Sequence, residues 1–108
     1  MKPKSPALYK RRAEIIKALG HPSRLLVADA LAQGELCVCE LTDLVGADMS
    51  TVSKHLSVMK AAGLVHMEKR GQNVYYRLVC PCLNDFFSCV DSIQRSHAKQ
   101  LQAACCPA

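Results

Sequence analysis

The sequence predicts a mainly α-helical chain with one small β-hairpin, folded as a single domain over residues 1–108. Three changes of pattern predict it. Apolar residues recur at helical spacing from about Ala7 to Ala62. The period drops to two between Leu64 and Leu78, broken by Arg70-Gly71-Gln72-Asn73. Helical spacing then returns from about Leu83 to Gln102. The expected order is four helices, two strands and a last long helix, with residues 1–6 and 103–108 as flexible tails.

Each element has its own signals. Ala7 to Leu19 sets Leu8, Ile15, Ile16 and Leu19 on one side, and Gly20 suits a left-handed stop. His21-Pro22 breaks the chain, and Ser23 is placed to cap a second helix from Arg24 to Gln33. Gly34 ends that helix. Leu36 to Val45 reads as a short third helix, and Gly46 turns the chain. Asp48 or Ser50 can cap a fourth, Thr51 to Ala62, with Val52, Leu56 and Met59 facing inward. Two helices joined by a short Gly-containing turn make a helix-turn-helix. Leu64 to Lys69 and Val74 to Leu78 then form a hairpin. A hairpin directly after the second helix of such a unit is a wing. The final helix carries Leu83, Phe86, Phe87, Val90, Ile93, His97 and Leu101 at spacings of three and four, a stripe suited to dimerisation.

Composition narrows the function. The 108 residues carry 14 basic and 9 acidic side chains, a net charge of +5, which mildly favours a polyanionic partner. No apolar run approaches the roughly 20 residues needed to span a bilayer. Met1-Lys2-Pro3-Lys4-Ser5-Pro6 has no apolar core behind it, so a signal peptide is not expected and a cytoplasmic location is. There are seven cysteines: Cys37, Cys39, Cys80, Cys82, Cys89, Cys105 and Cys106. An odd count without an export signal argues against a disulfide scaffold and for thiols free to bind metals or sense oxidants. A thiol enzyme or metal carrier is disfavoured. There is no Cys-x-x-Cys beside a βαβ pattern, no placed base and no loop for an organic cofactor.

The motifs Ala18-Leu19-Gly20-His21-Pro22-Ser23-Arg24-Leu25, Glu35-Leu36-Cys37-Val38-Cys39-Glu40-Leu41, Ser50-Thr51-Val52-Ser53-Lys54-His55-Leu56, Ala62-Gly63-Leu64-Val65 and Gly71-Gln72-Asn73-Val74-Tyr75-Tyr76-Arg77-Leu78 occur in this order over nearly the whole chain. Each is weak alone; the set is specific. The chain resembles the ArsR/SmtB metalloregulatory repressors. The resemblance implies a homodimeric winged helix-turn-helix that represses a resistance operon and leaves double-stranded operator DNA when its ion binds. The Cys37-Val38-Cys39 phrase looks like that of the arsenite and antimonite sensors, and of the cadmium and lead sensors. The best-known arsenite type has a third cysteine where this chain has Thr42. The cadmium and lead type draws cysteines from an N-terminal arm, and this arm has none. The zinc and nickel types use Asp and His pairs on the last helix, where Asp91 and His97 stand at unsuitable spacing.

The expected ligands of trivalent arsenic or antimony are therefore Cys37 and Cys39, with a third thiol from Cys80, Cys82 or Cys89. Thiolates favour such soft ions, and cadmium or lead would use much the same set. In a regular helix, residues two apart point roughly 200° apart, so the helix start must distort for both to grip one ion. Cys80, Cys82 and Cys89 could also form a site of their own at the last helix, or Cys89 could simply pack. Oxidation is the alternative signal, through Cys80/Cys82 or Cys105/Cys106. The expected DNA contacts are Ser50, Thr51, Ser53, Lys54 and His55 in the major groove, with Arg70 and Gln72 from the wing reaching the minor groove or a phosphate. The four histidines show no ligand spacing.

Overall fold

The computed structural model describes residues 1–105, with side chains to Leu101. Five helices and a three-stranded antiparallel sheet follow one another: α1 (Pro6–Leu19), α2 (Pro22–Ala32), β1 (Leu36–Cys37), α3 (Val38–Val45), α4 (Met49–Ala61), β2 (Val65–Arg70), β3 (Asn73–Leu78) and α5 (Leu83–Cys105). This is the winged helix-turn-helix that the pattern predicts, mostly helical with a small hairpin. One strand more than expected is present. Leu36 and Cys37 pair with Tyr76 and Tyr75, giving the sheet order β1-β3-β2. The third helix therefore starts at Val38, two residues later than its apolar spacing suggests.

The helix starts follow from their caps. Ser5 accepts a hydrogen bond from the Leu8 amide, and Pro6 supplies a preset φ at the first helical position. α2 begins earlier than expected because His21, not Ser23, caps it. The His21 Nδ1 accepts from the Ser23 amide at 3.0 Å, with Pro22 next in line. Gly20 is not left-handed either: its φ is −79°, and its amide donates to the Lys17 carbonyl. A Cβ there would sit 3.3 Å from that oxygen, so close approach explains this glycine better than positive φ. Gly46 does adopt φ +73° and ends α3. Asp48 caps α4. Gly71, at φ +62°, with Gln72 at ordinary φ, closes the hairpin in two residues, the pattern of a type II′ turn.

The core lies where the helix-turn-helix meets the sheet. Leu41 of α3, Val52, Leu56 and Met59 of α4, Val27 and Leu31 of α2, and Tyr76 and Leu78 of β3 form one buried cluster. Leu41, Val52, Leu56 and Met59 have no exposed surface, so the spacing of three and four fixes which side of α4 faces out. α5 differs. Leu83 and Phe87 pack on the cluster, while Phe86, Val90, Ile93 and Leu101 are exposed, Ile93 by 69%. The helix runs to Cys105, beyond the expected end at Gln102; the remaining residues, Cys106 among them, lie outside the described part, as does the Cys105 side chain. Among the described residues, no helix is long and apolar enough to cross a membrane.

Candidate nucleic-acid interface and thiol sites

α4 presents a polar face because its inner face is spent on the core. Ser50, Thr51, Ser53 and Lys54 are exposed on its first two turns. The Asp48 cap is held by its neighbours: the Ser50 hydroxyl donates to Asp48 Oδ2 at 2.7 Å. Hydrogen bonds from Thr51 first, and then from Ser50, hold the Asp48 carboxyl below its ordinary pKa. The start of the helix is thus ordered before any ligand arrives. Lys54 is a solvated cation one turn in, where a phosphate or a guanine edge can be met.

His55 sits differently from its neighbours. Its half-buried ring lies 4.4 Å, centroid to centroid, from that of His21. Its Nδ1 is 3.3 Å from an Arg24 Nη1. Desolvation, and then the charges of His21 and Arg24, push its pKa down and keep it neutral. Arg24 also donates to the Ala18 carbonyl at 2.6 Å. His55 therefore ties α4 to the α1–α2 corner, through an Arg24 contact 31 residues away that local spacing does not reveal.

At the wing, Gln72 is exposed at the turn, but Arg70 is occupied. Its guanidinium forms a two-pronged pair with Glu35, at 2.5 and 2.9 Å, and a third contact with Glu68 at 2.9 Å. It also lies 4.8 Å over the Tyr75 ring. Glu35 was not singled out by sequence; its partner is 35 residues away, beyond the reach of local spacing.

The thiols fall into two groups. Cys37 is the last residue of β1 and caps α3 in an extended conformation, φ −84° and ψ 162°. The distortion that a regular helix would need is therefore unnecessary, because Cys37 is not in the helix. Its amide donates to Glu40 Oε1 at 3.2 Å. The Glu40 backbone amide pulls the thiol pKa down, but the Glu40 carboxylate, as acceptor and as charge, together with desolvation pushes it above its ordinary value. The Glu40 pKa is lowered by the same thiol and then by the Cys37 amide, consistent with a thiol donating to a carboxylate. Cys39 is exposed one step into α3. Both residues line a cavity with Met49 and Ser53 of α4 and with Met67 and Gln72 of the wing.

Cys80 and Cys82 lie elsewhere, beside Ile15, Ile16 and Leu19 of α1. The turn through Pro81 brings their Cα atoms to 5.3 Å, and the two are joined as a disulfide rather than free as thiols. Cys82 stands in the non-helical lead-in to α5, and Cys89 is exposed further along that helix. Among the described residues of one chain, no three Cys, His, Asp or Glu side chains are grouped to hold a metal ion. Cys37 and Cys39 share a cavity; none of the proposed third thiols lines it.

A wing, an exposed polar reading helix and a basic charge define a DNA-binding regulator of the winged helix-turn-helix class. Residues 21–67 match the family described as bacterial regulatory protein, arsR family. An uncharacterized HTH-type transcriptional regulator of Methanocaldococcus jannaschii is 36% identical over 86 residues, 79% of this chain and 97% of that protein. The chain belongs to the ArsR/SmtB family of transcriptional repressors. It is similar in structure to the homodimeric winged helix-turn-helix domain of a possible ArsR-family regulator from Mycobacterium bovis, with a TM-score of 0.75 and 31% identity over 93% of this chain and 95% of that one. The antimony-specific repressor AntR is also similar, with a TM-score of 0.74 and 27% identity over 93% of this chain and 90% of that one. The chain spans between half and two thirds of the length of several other curated relatives.

Proposed function

We propose that this repressor binds operator DNA as a homodimer and releases it when trivalent arsenic or antimony is captured by Cys37 and Cys39. The observation that carries the reading is the position of this thiol pair. Cys37 ends a strand hydrogen-bonded to the wing, and Cys39 opens the helix packed against α4. Both border one cavity with the start of the reading helix and the tip of the wing. An ion drawing two sulfurs together there must rearrange the junction that sets α4 against the wing. Linkage does the rest. An ion that prefers the rearranged form weakens DNA binding by the factor by which DNA weakens ion binding. The third sulfur would come from outside this cavity, from Cys89 of either protomer, since Cys80 and Cys82 are joined to each other. The exposed apolar residues of α5 support the dimer, as does the homodimeric relative.

The test uses a DNA fragment from upstream of the protein's own gene. Fluorescence anisotropy should show binding without inducer and release on addition of arsenite or antimonite. Cys37→Ser should bind the fragment as before and stay bound at saturating inducer. Release of the Cys37→Ser, Cys39→Ser double variant would end this reading.

A second reading is favoured by the Cys80–Cys82 disulfide. Here the signal is oxidation: two thiols lose two protons and two electrons to a peroxide, which leaves as two waters, or as one alcohol and one water. The pair sits between α1 and α5, so its oxidation would act through the dimer. Peroxide-driven release with no response to arsenite would select it.

A further inference from the structure

Arg70 does not hang free at the wing tip. It reaches across the whole sheet. Cys37 of β1 pairs with Tyr75 of β3, and Tyr75 pairs with Glu68 of β2. Paired residues of antiparallel strands project from the same face. Arg70 follows Glu68 by two residues and shares that face. Its guanidinium passes over the Tyr75 ring and closes on Glu35, which precedes Cys37 by two residues. One side chain thus links β2, β3 and the entry to β1.

The chemistry of the pair suits exchange. A guanidinium fork accepts a carboxylate or a phosphate with the same two-pronged geometry. The Arg70 side chain is 47% exposed and that of Glu35 is 30% exposed, so water and incoming anions reach the contact. Exposed ion pairs contribute little to stability and are screened by salt. A duplex brings a dense row of phosphates, and it also repels Glu35. Both effects open the pair in the same direction.

We infer that Glu35 is an autoinhibitory latch on Arg70: the pair is closed in the free repressor, and Arg70 exchanges Glu35 for an operator phosphate on binding. The latch needs no inducer, so it stands or falls apart from the arsenic reading. It also borders the thiol segment: whatever displaces Cys37 displaces the acidic end of the latch.

The competing role is a brace that stays closed on DNA and merely keeps the wing in shape. The two roles predict opposite signs. Operator affinity of the full chain is measured by anisotropy over a range of salt, without metalloid, for Glu35→Gln and Arg70→Gln. Circular dichroism melts confirm that both variants fold. For a latch, Glu35→Gln binds roughly two- to fivefold more tightly, the scale of an exposed pair released. Arg70→Gln binds more weakly, and its log-log salt slope falls by about one phosphate contact. Weaker binding by Glu35→Gln, or an Arg70→Gln salt slope equal to wild type, would overturn the proposal.

Discussion

Two Cys-x-Cys segments lie in this chain, and the fold treats them differently. Cys37-Val38-Cys39 spans a strand end and a helix start, so its two sulfurs leave from different backbone conformations. Cys80-Pro81-Cys82 lies wholly in a turn, where the proline closes the sulfurs on each other. The first pair adjoins the reading helix and the wing; the second adjoins α1. Equal spacing in sequence therefore says little about chemistry. The backbone between the sulfurs decides whether they face a third atom or each other.

The two segments also differ in anchorage, and that contrast has the largest expected effect. Leu41, in the helix that carries Cys39, is fully buried, whereas Leu83 beside Cys82 is only half-buried. Leu41→Ala should cost about 2–5 kcal/mol of unfolding free energy in urea titration, from lost transfer energy plus a cavity. Leu83→Ala should cost roughly 1 kcal/mol, since less apolar area returns to water. Equal costs would remove the idea that the first segment is bolted to the core and can push on it.

The next effect concerns function. Inducer coupling in allosteric proteins typically changes affinity by about 5–150-fold. That whole factor should vanish in Cys37→Ser and survive in Cys80→Ser, read by operator anisotropy with and without arsenite. The reverse outcome would exchange the roles of the two segments. Cys89→Ser should lie between these results or match wild type, and so report whether α5 supplies the third sulfur.

How much of this contrast was legible beforehand depends on the range of the forces involved. The core face of α4 was readable, because Val52, Leu56 and Met59 repeat at helical spacing and burial follows the stripe. The wing was readable from its period of two and its glycine. β1 was not. Leu36 and Cys37 are strand because β3 lies beside them, a partner nearly 40 residues away, and local spacing alone makes them helix. The His21 cap was missed for a similar reason. Ser23 is the commoner capping type, but Pro22 fixes the chain so that the preceding ring meets the free amide. Arg70 was correctly placed at the wing, yet its Glu35 partner comes from the far edge of the sheet. The polar face of α4, with Ser50, Thr51, Ser53 and Lys54, needed only the periodicity. His55 left that face because its ring packs against His21.

The smallest effect sharpens the comparison most, because it depends on the single Glu40 carboxylate beside Cys37. Although the Glu40 amide pulls the Cys37 thiol pKa down, the Glu40 carboxylate, with desolvation, holds it above its ordinary value. Capture of a soft ion needs the thiolate, so a proton must leave when the ion binds. With the thiol pKa above its ordinary value, the thiolate fraction at neutral pH is small and grows as pH rises toward that pKa. Inducer potency should therefore increase with pH. Glu40→Gln removes the negative charge and the anionic acceptor while the Glu40 backbone amide stays in place. Its amide oxygen can still accept from the Cys37 amide, as Glu and Gln both serve this capping position. The thiol pKa should then fall, and half-maximal release should need severalfold less arsenite near neutral pH. The pH dependence should flatten as well, because more of the thiolate is already present. Operator anisotropy at several pH values reads both changes. Unaltered potency in Glu40→Gln would mean that Cys37 deprotonation does not limit capture, and the carboxylate would be left with its role as a cap alone.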